Sequence, residues 1–508
     1  MSENSDAYER VAYGAGIVLF GNIFGMGFAF LTRVVPARWL SPSEYGLFAL
    51  GVTILSATAL LGNLGLYEGI ARNIPRSDNP DQVFTTGLLV AIGFSVTLGG
   101  AIILLSPLIA ARLLGTEFTP ILRVVGIGIP LMVVFKVITG GFRGREDAVG
   151  RVATQNFLMR GSIFALVLIG ITLGYGAMGA TVGWVVGLTI TAVGGLSLLE
   201  WRNGLLAPLR DWREAFAGEV APLVRFSLPL MGAATIWQLL QETDNLFIGY
   251  YLQSADLGVY DAAFTLGRLV MLFFWPVGFL LLPVFSNLET AKNQDEINHL
   301  YTLITKWMTA LTLPVVLFLA TFPKLILSTV FTPSFGRGGI ALTIIAVTFF
   351  THVVAGANRQ TLTALGNSTA VFKGMIGALF LNILLNILLI PQLGVEGAAL
   401  ATAISYGLLN VFYNILLYMI VDIQPFTWRL ATTLGVGLFL FAGVHTLFQY
   451  LIEPTFWRVF SVAIGYTFVY AIAFVFTGGL EPKDAELLVR MDEKIPVDLR
   501  PLIQLAEE

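Results

Sequence analysis

The chain has 508 residues, of which 56% are hydrophobic and 12% charged, with a net charge of −3 and a mean hydropathy of +0.81. A water-soluble domain carries about a quarter of its residues charged, so most of this surface faces lipid. The acidic balance excludes a basic nucleic-acid footprint, and the absence of cysteine excludes disulfides, thiolate catalysis and Cys-based metal sites.

In lipid only helices and closed barrels satisfy their own backbone. Apolar runs of about 20 residues without alternation predict helices. Residues 1–10 are polar and acidic and lack the basic start and small-residue cleavage site of a secretory signal, so the first apolar run is expected to be retained. Six spans are then predicted at 11–35, 45–67, 83–106, 121–142, 152–174 and 177–199, followed by a polar stretch at 200–222. Spans at 223–249 and 258–284 precede a second polar stretch, 285–303. Spans at 304–322, 338–357, 371–390, 396–420, 428–450 and 457–477 complete a total of fourteen. The tail, 478–508, holds PKDAELLVRMDEK, which reads as a short amphipathic helix. None of these polar stretches is long enough for a soluble catalytic domain.

Lysine and arginine set the orientation. With the N-terminus in the cytoplasm, about 19 of the 29 basic residues fall in cytoplasmic segments and about 6 in outer ones. Both termini are therefore expected on the cytoplasmic side of the cell membrane.

Two parts of the chain match each other. RWLSPSEYGLFAL pairs with YYLQSADLGVYDA, placing Leu40 with Leu252, Glu44 with Asp256, Gly46 with Gly258 and Phe48 with Tyr260. VITGGFR (from Val137) pairs with VVAGANR (from Val353), and GAMGA (from Gly176) with GVEGA (from Gly394). The matches keep their order with little drift in offset. They predict an N-lobe at 1–215 (spans 1–6) and a C-lobe at 216–422 (spans 7–12), with spans 13–14 at 423–477 and a cytoplasmic tail at 478–508. Six spans per repeat is an even number, so the lobes run parallel and place a cavity between them.

RWLSPSEYGLFAL followed by NLGLYEGIAR resembles the first signature of the polysaccharide-exporter, O-antigen flippase-like branch of the MOP (multidrug/oligosaccharidyl-lipid/polysaccharide) superfamily. FSLPLMGAATIWQLLQETDNLFIGYYLQSADLGVYDAAFTLGRLV resembles its second-lobe counterpart. By position, Arg38, Pro42, Glu44, Tyr45 and Gly46 match the first signature, Gly65 and Arg72 the second-span motif, and Asp244, Gly249, Gly258 and Tyr260 the second lobe. Asn63 stands where an acid is common. The resemblance implies an all-α polytopic membrane protein of MATE-like architecture that exports lipid-linked sugars.

Ionisable groups inside a membrane need a partner or water. Lys136, Arg160, Arg268, Arg359 and Lys373 are candidates for a cationic cavity holding the phosphate or pyrophosphate of a lipid-linked glycan. Interhelical pairing or snorkelling also accounts for Lys136, Arg160 and Arg268, and positive-inside bias alone accounts for Arg359 and Lys373. Gln238, Gln241, Glu242 and Asn245 recur at i, i+3, i+4 and i+7, so they share a helix face that suits a wet cavity or polar contacts between helices. Arg33 is expected to meet Asp244 or Glu242 in an outer gate, with Asp261 also lining the cavity. The amide pairs Asn382/Asn386 and Asn410/Asn414 read as interhelical hydrogen bonds, and His352 as a packing residue.

These features predict a flippase moving a polyprenyl-(pyro)phosphate-linked oligosaccharide from inner to outer leaflet by alternating access, for cell-surface polysaccharide or glycoprotein glycan assembly. The expected partners are the glycan, the bilayer and a coupling proton or sodium ion. No nucleotide motif occurs, and neither cofactor nor metal is expected. A drug–cation antiporter of the same superfamily is the alternative, although span 1 lacks the acids it would use. A membrane glycosyltransferase or ligase would need a D-x-D motif or a large catalytic loop.

Overall fold

The computed structural model describes residues 21–22, 24–210, 220–290, 293–451 and 453–479, and these contain helices and no strands. Eleven of the helices are long and apolar enough to cross a membrane. In order they are Pro42–Gly62, Pro80–Leu114, Thr116–Gly144, Ala148–Thr172, Gly176–Asn203, Gln294–Thr321, Pro333–Ala364, Ser368–Leu393, Val395–Val421, Trp428–Gln449 and Phe456–Thr477. They fall on expected spans 2–6 and 9–14, and the chain is a multi-pass membrane protein. Large apolar side chains such as Leu104, Met419 and Phe439 point outward, as a lipid-facing surface requires.

The count of eleven differs from the fourteen expected for reasons specific to three spans. The first begins among residues outside the described set and continues as a helix over 24–39. The seventh is the helix Val220–Tyr251, where several side chains lie outside the described set, so the count does not cover it. The eighth is two helices, Ser254–Gly267 and Phe274–Thr290, separated by the 3₁₀ turn Arg268–Met271. The second span is broken too. Its helix stops at Gly62, Leu64 and Gly65 take left-handed backbone with φ of 48° and 73°, and a new helix runs Leu66–Asn73. The amphipathic tail helix expected at 482–494 lies outside the described residues.

Local chemistry explains the matched segments. Ser41 caps the helix Pro42–Gly62: its Oγ accepts from Glu44 N at 3.2 Å, and Glu44 Oε2 accepts from Ser41 N at 3.1 Å. This is a capping box with proline at the first helical turn. Asp256 does the same work in the second copy, accepting from Gln253 N at 3.3 Å. The two copies also touch. A Cβ on Gly46 would strike the Ser254 carbonyl, and one on Gly258 would strike the Pro42 carbonyl. Since Pro42 and Ser254 share a repeat position, as do Gly46 and Gly258, the contact maps onto itself when the copies are exchanged. Ser43 Oγ and Ser254 Oγ add a hydrogen bond of 2.6 Å. Gly176 and Gly394, matched in the third segment, both adopt positive φ, 55° and 63°.

The described chain forms two compact units. One gathers the described residues up to Thr265 with Val330–Gly338 and Leu379–Ala401. The other gathers Leu266–Thr329, Gly339–Ala378 and the described residues from Thr402 onward. The first unit has an apolar core that includes Leu66, Ile70, Phe84, Val133, Phe142 and Leu199. Within it, Gly179, Gly183 and Gly187 let the helix Gly176–Asn203 lie against the backbone of residues Ile163, Leu166 and Gly170. Close backbone approach of this kind replaces the hydrophobic driving force that lipid removes.

Candidate functional site

Five helical segments of the first unit place their polar residues together. Arg33, on the helix 24–39, reaches Asp261 on Ser254–Gly267, with Nη1 donating to Oδ2 at 2.9 Å and to Oδ1 at 3.0 Å. The Tyr45 hydroxyl donates to Asp261 Oδ2 at 2.6 Å. Asp261 is 5% exposed, so these donors replace water for a buried carboxylate.

The expected face of Val220–Tyr251 turns toward this pair. Asn245 Nδ2 donates to Asp261 Oδ1 at 3.5 Å and to Thr53 Oγ1 at 3.2 Å, and Thr53 Oγ1 donates to Glu242 Oε2 at 3.0 Å. Two turns earlier, Lys136 Nζ donates to Gln238 Oε1 at 3.4 Å, and Gln238 Nε2 donates to the Ser56 carbonyl at 3.5 Å. Gln241 is half-buried on the same helix. Asp244 departs from the stripe and accepts from a different set: Asn386 Nδ2 at 2.8 Å, Asn382 Nδ2 at 3.2 Å and the Tyr260 hydroxyl.

The expected ion pair is therefore corrected. Arg33 meets Asp261, while Asp244 meets two amides and a tyrosine, and Glu242 meets Thr53. The reason is the Gly46–Gly258 contact, which draws the start of Ser254–Gly267 against Pro42–Gly62 and brings Asp261 level with Tyr45 and Arg33. Asn382 and Asn386 form interhelical hydrogen bonds as expected, and their acceptor is Asp244. Tyr45, Thr53 and Tyr260 were missed as network members. One signal was available: Asp244 and Asn245 precede Tyr260 and Asp261 by the same 16 residues, and both 16-residue pairs are hydrogen-bonded.

The candidate cations divide between the units. Lys136 and Arg160 belong to the first, and Arg268, Arg359 and Lys373 to the second. Arg160 is half-buried, and its side chain forms no hydrogen bond or ion pair with the described residues. Arg268 begins the 3₁₀ turn that interrupts span 8, with an exposed side chain, and Lys373 is also exposed. Arg359 is half-buried, and its backbone N–H is bound by Asn358 Oδ1 at 2.7 Å. Interrupted helices at comparable places in the two halves mark binding regions in transporters, and spans 2 and 8 are both interrupted.

The second unit has its own polar cluster. His352 Nδ1 donates to Asn410 Oδ1 at 2.9 Å, and Asn358 Nδ2 donates to Asn410 Oδ1 at 3.2 Å and Asn414 Oδ1 at 3.3 Å. The Tyr301 hydroxyl donates to the Ala355 carbonyl at 2.6 Å. Phe274 packs edge-on to the His352 ring. Lys306, only 2% exposed, lies on Gln294–Thr321 and was not anticipated, because span 9 was expected to begin beside it.

A protein of Haloferax volcanii named probable low-salt glycan biosynthesis flippase Agl15 is 25% identical over 460 residues, covering 86% of this chain and 92% of its own length. Another from that organism, probable flippase AglR, is 25% identical over 394 residues, covering 72% and 76%. Among solved structures, lipid II flippase MurJ superposes with a TM-score of 0.70 at 13% identity, over 91% of this chain and 99% of that one. A multidrug resistance MATE transporter of the MOP superfamily superposes with a TM-score of 0.64 at 17% identity, over 80% and 98%. At such identities these two likenesses concern the fold, which is the MATE-like helical architecture expected. The sequence profile of one family, described as polysaccharide biosynthesis protein, matches residues 35–337, more than half the chain, and the chain belongs to that family.

Proposed function

We propose that the chain is a flippase that carries a polyprenyl-(pyro)phosphate-linked oligosaccharide from the inner to the outer leaflet, for cell-surface polysaccharide or glycoprotein glycan assembly. The observation that carries this reading is the run of polar contacts inside the first unit, from Lys136 and Gln238 through Glu242, Thr53 and Asn245 to Asp261 and Arg33. Lipid penalises every member of that run, and a hydrated path for a sugar accepts it. The names of the Haloferax relatives point to the same cargo class.

The protein works by transport and not by bond chemistry. The lobes 1–215 and 216–422 rock against each other, with both termini cytoplasmic. Arg268, Arg160, Arg359, Lys136 and Lys373 meet the phosphate as it passes. Arg33, Tyr45 and Asp261 tie the outer end of the path. A coupling proton or sodium ion is held at Asp244, beside the buried Asn386 Oδ1, which accepts no hydrogen bond from the described residues.

The test is the sidedness of lipid-linked glycans in cells deleted for the protein, read with an impermeant glycosidase. Cytoplasmic-leaflet accumulation, relieved by the wild type and not by Arg268→Ala, is the expected result. Normal sidedness in the deletion would overturn the flippase and favour the antiporter.

A further inference from the structure

Spans 1 and 5, both in the first unit, carry polar groups that the run of contacts from Lys136 to Arg33 does not use. Span 5 consists of the helix Ala148–Val152, a π-helical turn Ala153–Met159 and the helix Arg160–Thr172. Such turns inside α-helices recur at functional sites. This one carries Asn156 and ends where Arg160 starts the next helix. Two glycines of span 1 make room for it. A Cβ on Gly21 would strike Val152, and one on Gly25 would strike both Arg160 Nη1 and Asn156 Oδ1. Asn156 Nδ2 donates to Asn22 Oδ1 at 3.2 Å. That bond fixes the exposed Asn22 amide and leaves its N–H groups without an acceptor among the described residues.

Arg160 differs from the other arginines of this unit that face a carboxylate. Arg33 meets Asp261 at 2.9 Å and Arg143 meets Glu68 at 2.8 Å, whereas the Arg160 side chain meets no acceptor among the described residues. It is the middle residue of the span Ala148–Thr172, with about 18 Å of helix on either side. That is farther than the side chain extends, so snorkelling does not bring its charge to an interface. A charge at this depth needs a counter-charge or water. The guanidinium offers five N–H donors in a fork, which fits an oxyanion, and Asn22 adds amide donors from the facing helix. Donors with a positive charge select a group that only accepts, such as a phosphate, over a sugar hydroxyl. Phe24 and Phe157 stand beside these residues on the same two helices, with ring centroids 6.0 Å apart and 46% and 42% exposed. Exposed rings next to anion donors match a phosphate carried on an apolar chain.

We propose that Asn22 and Arg160 form a seat for the phosphate next to the isoprenoid, and that this seat reads the phosphate and its chain without reference to the sugar. The proposal rests on the flippase reading for the identity of the carrier. It singles out Arg160 from the other cations as the one held ready for a ligand, since Lys136 is already bound to Gln238. A carrier lipid stripped of its glycan therefore competes with the loaded carrier.

Purified full-length protein in phosphatidylcholine nanodiscs tests it, with farnesyl phosphate as the probe and the unfolding temperature as the readout. Farnesyl phosphate is expected to raise that temperature saturably, with an apparent Kd weakened about tenfold by Arg160→Gln and about threefold by Asn22→Ala. Farnesol, the chain alone, and inorganic phosphate, the charge alone, should not reproduce the shift at the same concentration. Without ligand, Arg160→Gln should unfold no earlier than wild type, because it removes a charge that has no protein partner to strand. A structural ion pair would give the opposite result. No shift with farnesyl phosphate, an unchanged Kd in both variants, an equal response to farnesol or to inorganic phosphate, or earlier unfolding of ligand-free Arg160→Gln would each overturn the proposal. The deletion-strain assay keeps the two readings apart. Relief of cytoplasmic accumulation by Arg160→Gln as complete as by wild type defeats the seat alone. Farnesyl phosphate binding with normal sidedness in the deletion leaves the seat standing and defeats the flippase.

Discussion

Asp261 is the residue on which the outer end of the polar run depends, since a guanidinium, a phenol and an amide all converge on it. Removing one partner of a buried pair strands the other, at a cost of about 3–5 kcal/mol. Arg33→Ala and Asp261→Ala should each destabilise the protein by about that amount, and the double variant by clearly less than the sum. A double-mutant cycle by chemical denaturation in detergent checks this; a coupling within about 0.5 kcal/mol of zero means the residues act independently. A second residue-scale prediction concerns Asp147, which precedes the helix Ala148–Val152. Burial raises its pKa, but hydrogen bonds from Arg202 and from the Gly150 N–H outweigh that effect and hold the carboxyl below its ordinary value. The geometry is bidentate, with Arg202 Nε at 2.6 Å and Nη2 at 2.9 Å. A depressed carboxylate stabilises the fold above the unfolded value, about 3.9, and that contribution disappears as pH falls through the folded value. Acid-induced unfolding should therefore be shallower in Arg202→Gln than in wild type; equal slopes would show that the pair contributes nothing.

At the scale of elements, glycine positions decide which helices meet. Gly46→Leu should push Pro42–Gly62 away from Ser254–Gly267 and cost about 1–3 kcal/mol of stability, as overpacking does. Gly27→Leu, where an added Cβ meets nothing within 4 Å, should stay within about 0.5 kcal/mol of wild type. Thermal shifts of the two variants compare them directly, and equal shifts would remove the contact from the account. The helices themselves were legible in the sequence because hydropathy and length determine spans in lipid. The stripe on Val220–Tyr251 was legible because a helix repeats every 3.6 residues. The choice of Asp261 over Asp244 as the partner of Arg33 was not legible, because it depends on where two distant helices touch. The break at Asn63–Gly65 was hidden for a different reason: Gly-Asn-Leu-Gly lies next to the expected end of the span, where a fall in hydropathy reads as the end of a helix and not as a break between two.

At the scale of the molecule, orientation in the membrane is the property the sequence addresses most directly. The native chain has no cysteine, so single introduced cysteines give unambiguous labelling. Asp78→Cys should react with an impermeant maleimide only after permeabilisation, and Ser334→Cys in intact cells; both native residues are exposed. The reverse pattern would invert the topology and, with it, the direction of transport proposed.

The Gly46–Gly258 contact has a mechanical meaning as well. Two backbones that touch through bare Cα positions have no interlocked side chains to unpack. Such a junction acts as a pivot: it resists sliding and separation while permitting tilt. The Arg33–Asp261 tie lies off that pivot on the same pair of repeat copies, so a small angular change is enough to open it without unmaking the joint.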